Sequence, residues 1–316
     1  TDGWAGLVRE WLDIKGDPLK LKVFTNTIFG EFWVEKNTSK LDWEVIFNRR
    51  EVWVGRVPKE AVYITAGVDT QGHEGSSNNR LEAYVYAWGA NEECWLIDSW
   101  VVYGNLAESA PWNEAIELLN QTYQHALGFE MPISTLCWDT GGGFTGKVHA
   151  ACRKGGIKKF LPIRGAPSAG KPIANMPKKV NKQYKTYFFE VGTEDAKDTI
   201  YGRYRIQRNS PGEPTPGYIH LPADDGICDE KVVKEFVAET KVMKFKNGVR
   251  TSVWECPKHV SNEGTDCANY ALAALRASKQ RKRINLEILS AKQLGTPMPK
   301  PKKIKRKKAG SYGGVN

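Results

Sequence analysis

The feature that most constrains this chain is an apolar run, Ala61-Val62-Tyr63-Ile64-Thr65-Ala66-Gly67-Val68, that stops on Asp69. A short, nearly continuous apolar stretch of this kind fits a strand buried on both faces, which belongs in the middle of a sheet covered by helices. A second run, Pro132 to Trp138, stops in the same way on Asp139, followed by Thr140-Gly141. In open α/β sheets ligands bind outside the carboxyl ends of the strands, where both acids stand.

The pattern around these runs predicts the rest of the sheet. Gly, Ser and Asn between 72 and 79 read as a loop, and Leu81–Trp88 and Cys94–Tyr103 as a hairpin joined through residues 89–93. Pro111 to Ala126 is predicted helical, with Pro111 in the first turn, followed by a helix over Gly146–Gly155 and a fifth strand over Lys159–Ile163. The order β-β-β-α-β-α-β implies an α/β fold with a mixed sheet and flanking helices. The right-handed crossover rule then places the fourth strand beside the first and parallel to it, making Asp69 and Asp139 neighbours. Further on, residues 165–182 read as a loop, Tyr184–Val191 as a strand, and Thr193–Gln207 as a helix capped by Thr193. A short helix near Asp229–Ala238 precedes a β-hairpin insertion from strands at Thr240–Phe245 and Thr251–Trp254.

The last predicted helix, Ser261 to Ala277, has a small apolar face (Ala268, Ala271, Leu272, Leu275) suited to lying on the sheet. Its first turn carries Glu263 and Asp266, three apart and therefore on one face. Packed with that turn toward the strand ends, the helix gathers Asp69, Asp139, Asp266 and Glu263 around one opening. Carboxylates so crowded repel unless cations join them, and such a set suits Mg²⁺ or Mn²⁺ in phosphodiester chemistry.

Rival motifs are weaker. Gly141 to Lys147 fits G-x-x-x-x-G-K between a strand and a helix, but Val148 stands where a P-loop needs a magnesium-binding hydroxyl, so ATP is not expected to bind. The glycines read instead as a turn that lets a phosphate backbone approach Asp139. Cys256-Pro257-Lys258-His259 lacks a second half, and the six cysteines form no C-x₂-C pair, which points to a reducing compartment rather than a zinc ribbon or disulfide scaffold. No G-x-S-x-G elbow is present, and His73 is at most an accessory group beside Asp69.

Net charge is +10. From Arg276 onward 13 Lys+Arg face one acid, Glu287, giving +12 and leaving 10 − 12 = −2 for the preceding 275 residues. The basicity is therefore assigned to the tail, whose Pro-interrupted run Pro297–Lys308 is expected to be disordered. Arg80, Lys147, Arg164, Lys185 and Lys197 lie close enough to the motifs to be candidates for neutralising phosphates. No apolar run is long enough for a membrane helix. Three regions are expected: an arm or linker over 1–60, whose Thr1 start suggests a piece of a longer protein, a core over 61–277, and a basic tail over 278–316.

These residues resemble a known family. Ala66-Gly67-Val68-Asp69-Thr70-Gln71, Val191-Gly192-Thr193 with Lys197, Gly217 to Pro222, and Asn262-Glu263 with Asp266 and Tyr270 to Ala274 are similar to the large terminase subunit of tailed bacteriophages, in its lambda-like branch. Lys22 to Thr27 with Gly30-Glu31 resembles the linker leading into its nuclease domain. The resemblance implies a ribonuclease-H-like endonuclease domain that cuts concatemeric viral DNA with two Mg²⁺ or Mn²⁺ ions. Its acids map onto Asp69, Asp139 and Asp266, and Thr265 replaces a frequent Leu before the last, leaving open whether Glu263, Asp266 or both hold metal. The implied partners are double-stranded viral DNA, the small terminase subunit, the portal protein and an amino-terminal ATPase domain, all in the host cytoplasm. Two other readings remain: a resolvase or transposase of the same fold, and a non-catalytic module docking to DNA or the portal.

Overall fold

The computed structural model describes residues 3–14, 18–30, 40–166, 170–210, 212–246 and 249–297. Among the described residues, helices α1 (Gly3–Ile14), α2 (Pro18–Phe24), continued by a π-helical turn over Thr25–Phe29, and α3 (Trp43–Phe47) precede the sheet. Helix α1 buries none of its residues and leaves Trp4 and Val8 exposed. Helix α3 is anchored by buried Ile46 and begins at Asp42, whose carboxylate accepts from the Glu44 amide.

The remaining elements are β1 (Tyr63–Gln71), β2 (Arg80–Trp88), β3 (Cys94–Tyr103), α4 (Ala110–Leu118), β4 (Thr122–Gln124), β5 (Glu130–Pro132), β6 (Thr135–Asp139), α5 (Thr145–Gly155), β7 (Phe160–Gly165) and β8 (Phe189–Val191), then α6 (Thr193–Tyr204), β9 (Ile219–His220), α7 (Glu230–Phe236), β10 (Thr240–Lys246), β11 (Val249–Glu255), α8 (Glu263–Lys282) and α9 (Leu286–Leu294). Seven strands form one mixed sheet in the order β8-β7-β6-β1-β2-β3-β9, while β10-β11 and β4-β5 are separate hairpins. Strand β1 runs antiparallel to β2 and parallel to β6, the neighbour expected from the crossover rule.

Alternation along β1 decides which side chains meet which helix. Ile64, Ala66 and Val68 join Trp112, Ala115, Val148 and Cys152 in the core beneath α4 and α5. Tyr63, one step out of phase, joins Ala268, Ala271, Leu272 and Leu275 of α8 on the opposite face. In β6 the same parity sends Leu136 and Trp138 toward α5 and Cys137 toward α8. Asp69 and Asp139 share the parity of Tyr63 and Cys137, so both fall on the α8 face.

Helix α8 crosses β1 at Gly67, where a Cβ would stand 1.9 Å from the Cys267 carbonyl oxygen and 2.8 Å from the Ala271 amide nitrogen. Only glycine permits this approach. Thr65 Oγ1 donates to the Ala271 carbonyl at 2.8 Å, locking the crossing.

Several predicted boundaries differ, each for a local reason. Helix α4 ends at Leu118, not Ala126, because Gln121 and Tyr123 turn to donate to Asp98 at 3.0 Å each and Gly128 (φ +90°) closes the β4-β5 hairpin. The strand expected from Tyr184 starts only at Phe189, since Tyr184 stacks on His149 at 3.9 Å and Thr186 bonds the same ring. The N-cap of α6 is Gly192, and Thr193 is the first helical residue. The expectation of a structureless tail from 278 does not hold for 278–297: α8 continues to Lys282, and α9 buries Leu286 and ties Gln293 to the Lys59 and Ala61 carbonyls. Residues 298–316, including most of the basic run, lie outside the described residues.

Candidate active site

Strands β1 and β6 pair Val68 with Trp138, so the next residues, Asp69 and Asp139, stand side by side at the sheet's carboxyl edge. Helix α8 contributes Asp266 one residue before Cys267, which touches Gly67. The three acids are thus brought together by one strand register and one helix crossing.

Their environment is hostile to charge. Asp69 is 4% exposed, and burial, followed by the fields of Asp139 and Asp266, pushes its pKa up to about 8. The Thr70 amide donates to its Oδ1 at 2.9 Å and Gln71 Nε2 donates to Oδ2, but these bonds do not offset the repulsion. Asp139 is raised to about 6 by burial, although the Gly141 amide donates to its Oδ2 at 2.8 Å. Asp266 is also raised to about 6, mainly by burial, with Lys197 opposing and Glu239 and Asp139 adding to the rise.

Lys197 of α6 enters this cluster. Its Nζ donates to both Glu239 oxygens at 2.7 Å and stands 3.6 Å from Asp266 Oδ1. Burial works against its charge, but Asp266 and Glu239 outweigh burial and raise its pKa. Asn262 Nδ2 donates to Glu239 Oε1 at 2.6 Å and to Asp266 Oδ2 at 3.3 Å. Glu239, 2% exposed and just ahead of β10, is the site carboxylate missed by the sequence reading. The only trace of it in sequence is the i, i+4 pairing of Asn262 with Asp266, which aims an amide at a partner from elsewhere.

Glu263 faces a different way. Its Oε1 accepts from Arg80 Nη2 at 2.8 Å, and Ser261 Oγ donates to its other oxygen. Arg80 also reaches Glu82 at 3.3 Å, so it is held between two acids of the protein rather than presented to a ligand. Lys147, on the first turn of α5, donates to the Ala107 carbonyl at 2.9 Å, and Arg164 pairs with Glu190 at 2.9 Å. Lys185 is exposed in the loop that His149 and Tyr184 hold against α5. The near-P-loop glycines wrap Asp139 instead of forming a phosphate cradle: a Cβ on Gly141 would lie 2.5 Å from Asp139 Oδ2. His73 is exposed in the β1–β2 loop with its Nδ1 at the Glu74 carbonyl.

Among the described residues no three His, Cys, Asp or Glu side chains already stand at metal-ligand spacing. Each acid is turned instead to a hydrogen-bond donor of the protein, Asp69 to Gln71, Asp139 to Gly141 and Asp266 to Asn262. The donors are nonetheless hard carboxylate oxygens, crowded and desolvated, a set whose repulsion a divalent cation relieves. A cavity of about 520 Å³ lies elsewhere, beside Glu51, Trp95 and His220, and none of the three acids lines it.

The family model for the terminase large subunit gpA endonuclease domain matches residues 1–286. The chain is 38% identical over 288 residues to the terminase large subunit of Escherichia phage lambda, covering 91% of this chain and 44% of that protein. It is 36% identical over 314 residues to the terminase large subunit of Enterobacteria phage P21, covering 99% of this chain and 48% of that protein. No solved structure matches significantly. The chain spans about half the length of these relatives, and with most of its own length matched it belongs to the endonuclease-domain family of phage terminase large subunits.

Proposed function

We propose that this chain cuts duplex DNA during phage genome packaging, using two Mg²⁺ or Mn²⁺ ions held by Asp69, Asp139 and Asp266. What supports this most is that strand parity, β1–β6 register and the Gly67 crossing bring these acids to one face, where Asp139 raises the pKa of both Asp69 and Asp266 and Asp266 raises that of Asp69. We read the sheet as ribonuclease-H-like, on the support of three antiparallel strands followed by parallel β6 and β7. We further read residues 1–60 as an arm from an ATPase domain and 61 onward as the nuclease. Viral DNA cut from concatemers, the small subunit and the portal are the partners this reading implies, and the host cytoplasm the place.

Bound cations supply Lewis acidity, activating water and stabilising the leaving 3′ oxygen in an in-line displacement. The chain's own residues prepare for this. Asp69, which feels the fields of both other acids, would be the shared ligand, and Gln71 and the Thr70 amide donate to its two carboxylate oxygens. The Gly141 amide orients Asp139, and the glycine turn leaves room for a phosphate to approach. Lys197 holds Asp266 and Glu239 together and offsets their charge while no cation is bound. Glu263, tied to Arg80, is an outer support in this arrangement and not the third ligand.

Supercoiled plasmid incubated with the chain in Mn²⁺, Mg²⁺ or EDTA tests the proposal. Nicking in the metals, absent in EDTA and in Asp139→Asn, is expected. Cleavage that survives Asp139→Asn would remove that residue from the site, and cleavage confined to branched DNA would favour the resolvase reading.

A further inference from the structure

Charge is partitioned across the sheet in a way that the body's near-neutral sum conceals. Residues 140–189 contain 11 Lys+Arg and no Asp or Glu, a balance of +11. Residues 42–139 carry 5 Lys+Arg against 15 Asp+Glu, or 5 − 15 = −10, and residues 190–240 carry 6 against 11, or 6 − 11 = −5. The positive segment builds α5, β7 and the loop into β8. The negative ones build α3, β1 to β3, α4 beside α5, β4 to β6, α6, β9 and α7. The β7–β8 edge is therefore basic, the β3–β9 edge acidic, and Asp139 stands on the border with Asp69 one strand further in.

The cations of the basic half have little to satisfy them within the protein. Arg153, Lys154, Lys158, Lys178 and Lys182 are exposed. Among the described residues of this segment, only Arg164 and Lys171 approach a carboxylate, and both approach Glu190, at 2.9 Å and 4.0 Å. Others rest on neutral atoms, Arg153 on the Tyr184 carbonyl and Lys154 on Asn113 Oδ1. The face is also poor in apolar anchors: Val180 is its one exposed large aliphatic or aromatic side chain among the described residues. A protein-docking patch is usually centred on such anchors, whereas a surface that neutralises phosphates does not need them.

The face has length as well as charge. Helix α5 extends about 16 Å over its eleven residues, and carries Lys147 beside the glycine turn after Asp139 and Lys154, about 10 Å further along, near its far end. Beyond it Arg281 of α8 donates to the Lys158 carbonyl at 3.4 Å and lies over the Tyr187 ring at 4.2 Å, carrying the basic surface further. Double-stranded DNA presents one phosphate charge per about 1.7 Å of axis, so a path of this length faces roughly nine of them.

We propose that the duplex lies along this basic half, its backbone held by α5 and the loop before β8, with the acids at one end of the track and the β3–β9 half turned away. The position of the cut on this track rests on the nuclease reading, but the track itself is measurable without cleavage. The test uses the full chain with Lys154, Lys158, Lys178 and Lys182 each changed to Gln, beside a control with Lys231→Gln and Lys234→Gln on α7. Fluorescence anisotropy of a duplex of about 30 base pairs in EDTA gives affinity against salt; each lost phosphate contact removes about 0.9 from the slope, so four remove about 3.6. We expect the slope to fall by about 3.6 and affinity near 0.1 M salt to fall at least tenfold, with the control unchanged. Should the fourfold variant fail to fold by circular dichroism, Lys178→Gln with Lys182→Gln in the exposed loop carries the test, with a fall of about 1.8. Unchanged slope and affinity, or an equal loss in the control, would overturn the proposal. Plasmid nicking by the unaltered chain in Mn²⁺ is read in parallel, so failure of the nuclease reading shows as absent cleavage whatever the slopes.

Discussion

Replacing Asp69 with Asn isolates the cost of crowding three acids. The Asp69 pKa stands at about 8 in the fold, against an ordinary value of 3.8. At pH 7 the unfolded carboxyl is ionised and the folded one largely protonated, so folding is penalised over about 3 pH units, or about 4 kcal/mol as an upper limit. Because the folded pKa is raised, the stability tied to this group is fully present below about pH 4 and is lost as pH rises through 8. Asn removes the charge, keeps the acceptor for the Thr70 amide, and asks only that half-exposed Gln71 turn its amide over. Allowing half the limit for relaxation, Asp69→Asn should gain about 2 kcal/mol in EDTA at pH 7, a Tm rise of roughly 4–8 °C for a domain of this size. The gain should shrink toward zero near pH 4. Adding Mn²⁺ should reverse the ranking, since the wild type gains binding energy that the variant has lost. Differential scanning calorimetry at three pH values, in EDTA and in Mn²⁺, reads all of this. A variant no more stable than wild type in EDTA at pH 7 would refute the reasoning.

Two other substitutions and a truncation probe the same fold. Gly67→Ala should destabilise by about 1–3 kcal/mol by overpacking against the α8 backbone, and should reduce plasmid nicking by displacing Asp266; denaturant unfolding and a nicking assay check the two effects together. Lys197→Met leaves buried Glu239 without its cation, so the metal-free protein should lose about 3 kcal/mol, while the Tm gain on adding Mn²⁺ should exceed that of wild type because a competing ammonium is gone. Truncation after Gln280 should lower the Tm by removing buried Leu286 and the Gln293 contacts, which thermal unfolding reads.

The sheet and its acids were legible because they depend on local signals with short periods. Apolar runs ending on Asp69 and Asp139 and a crossover of the usual hand were sufficient to make those residues neighbours, and the small face of α8 announced where it would lie. Other features depend on contacts between distant segments. Tyr184 leaves its strand for His149, Gln121 and Tyr123 turn toward Asp98, and Glu239 meets Lys197 from a separate element. Helix α9 was hidden by the cations around it, although Leu286 is buried. Summing the body's charge to −2 obscured the division between its halves, which emerges only when each segment is placed on its side of the sheet.

Anomalous diffraction at the manganese edge from crystals grown in MnCl₂ shows directly whether Asp69, Asp139 and Asp266 hold the cations proposed for the site. Two peaks are predicted, with Asp69 oxygens within about 2.5 Å of both, Asp139 and Asp266 each reaching one, and Lys197 moved away from Asp266. Manganese bound only elsewhere, or absent at saturating concentration with the three acids still turned to Gln71, Gly141 and Asn262, would contradict that proposal.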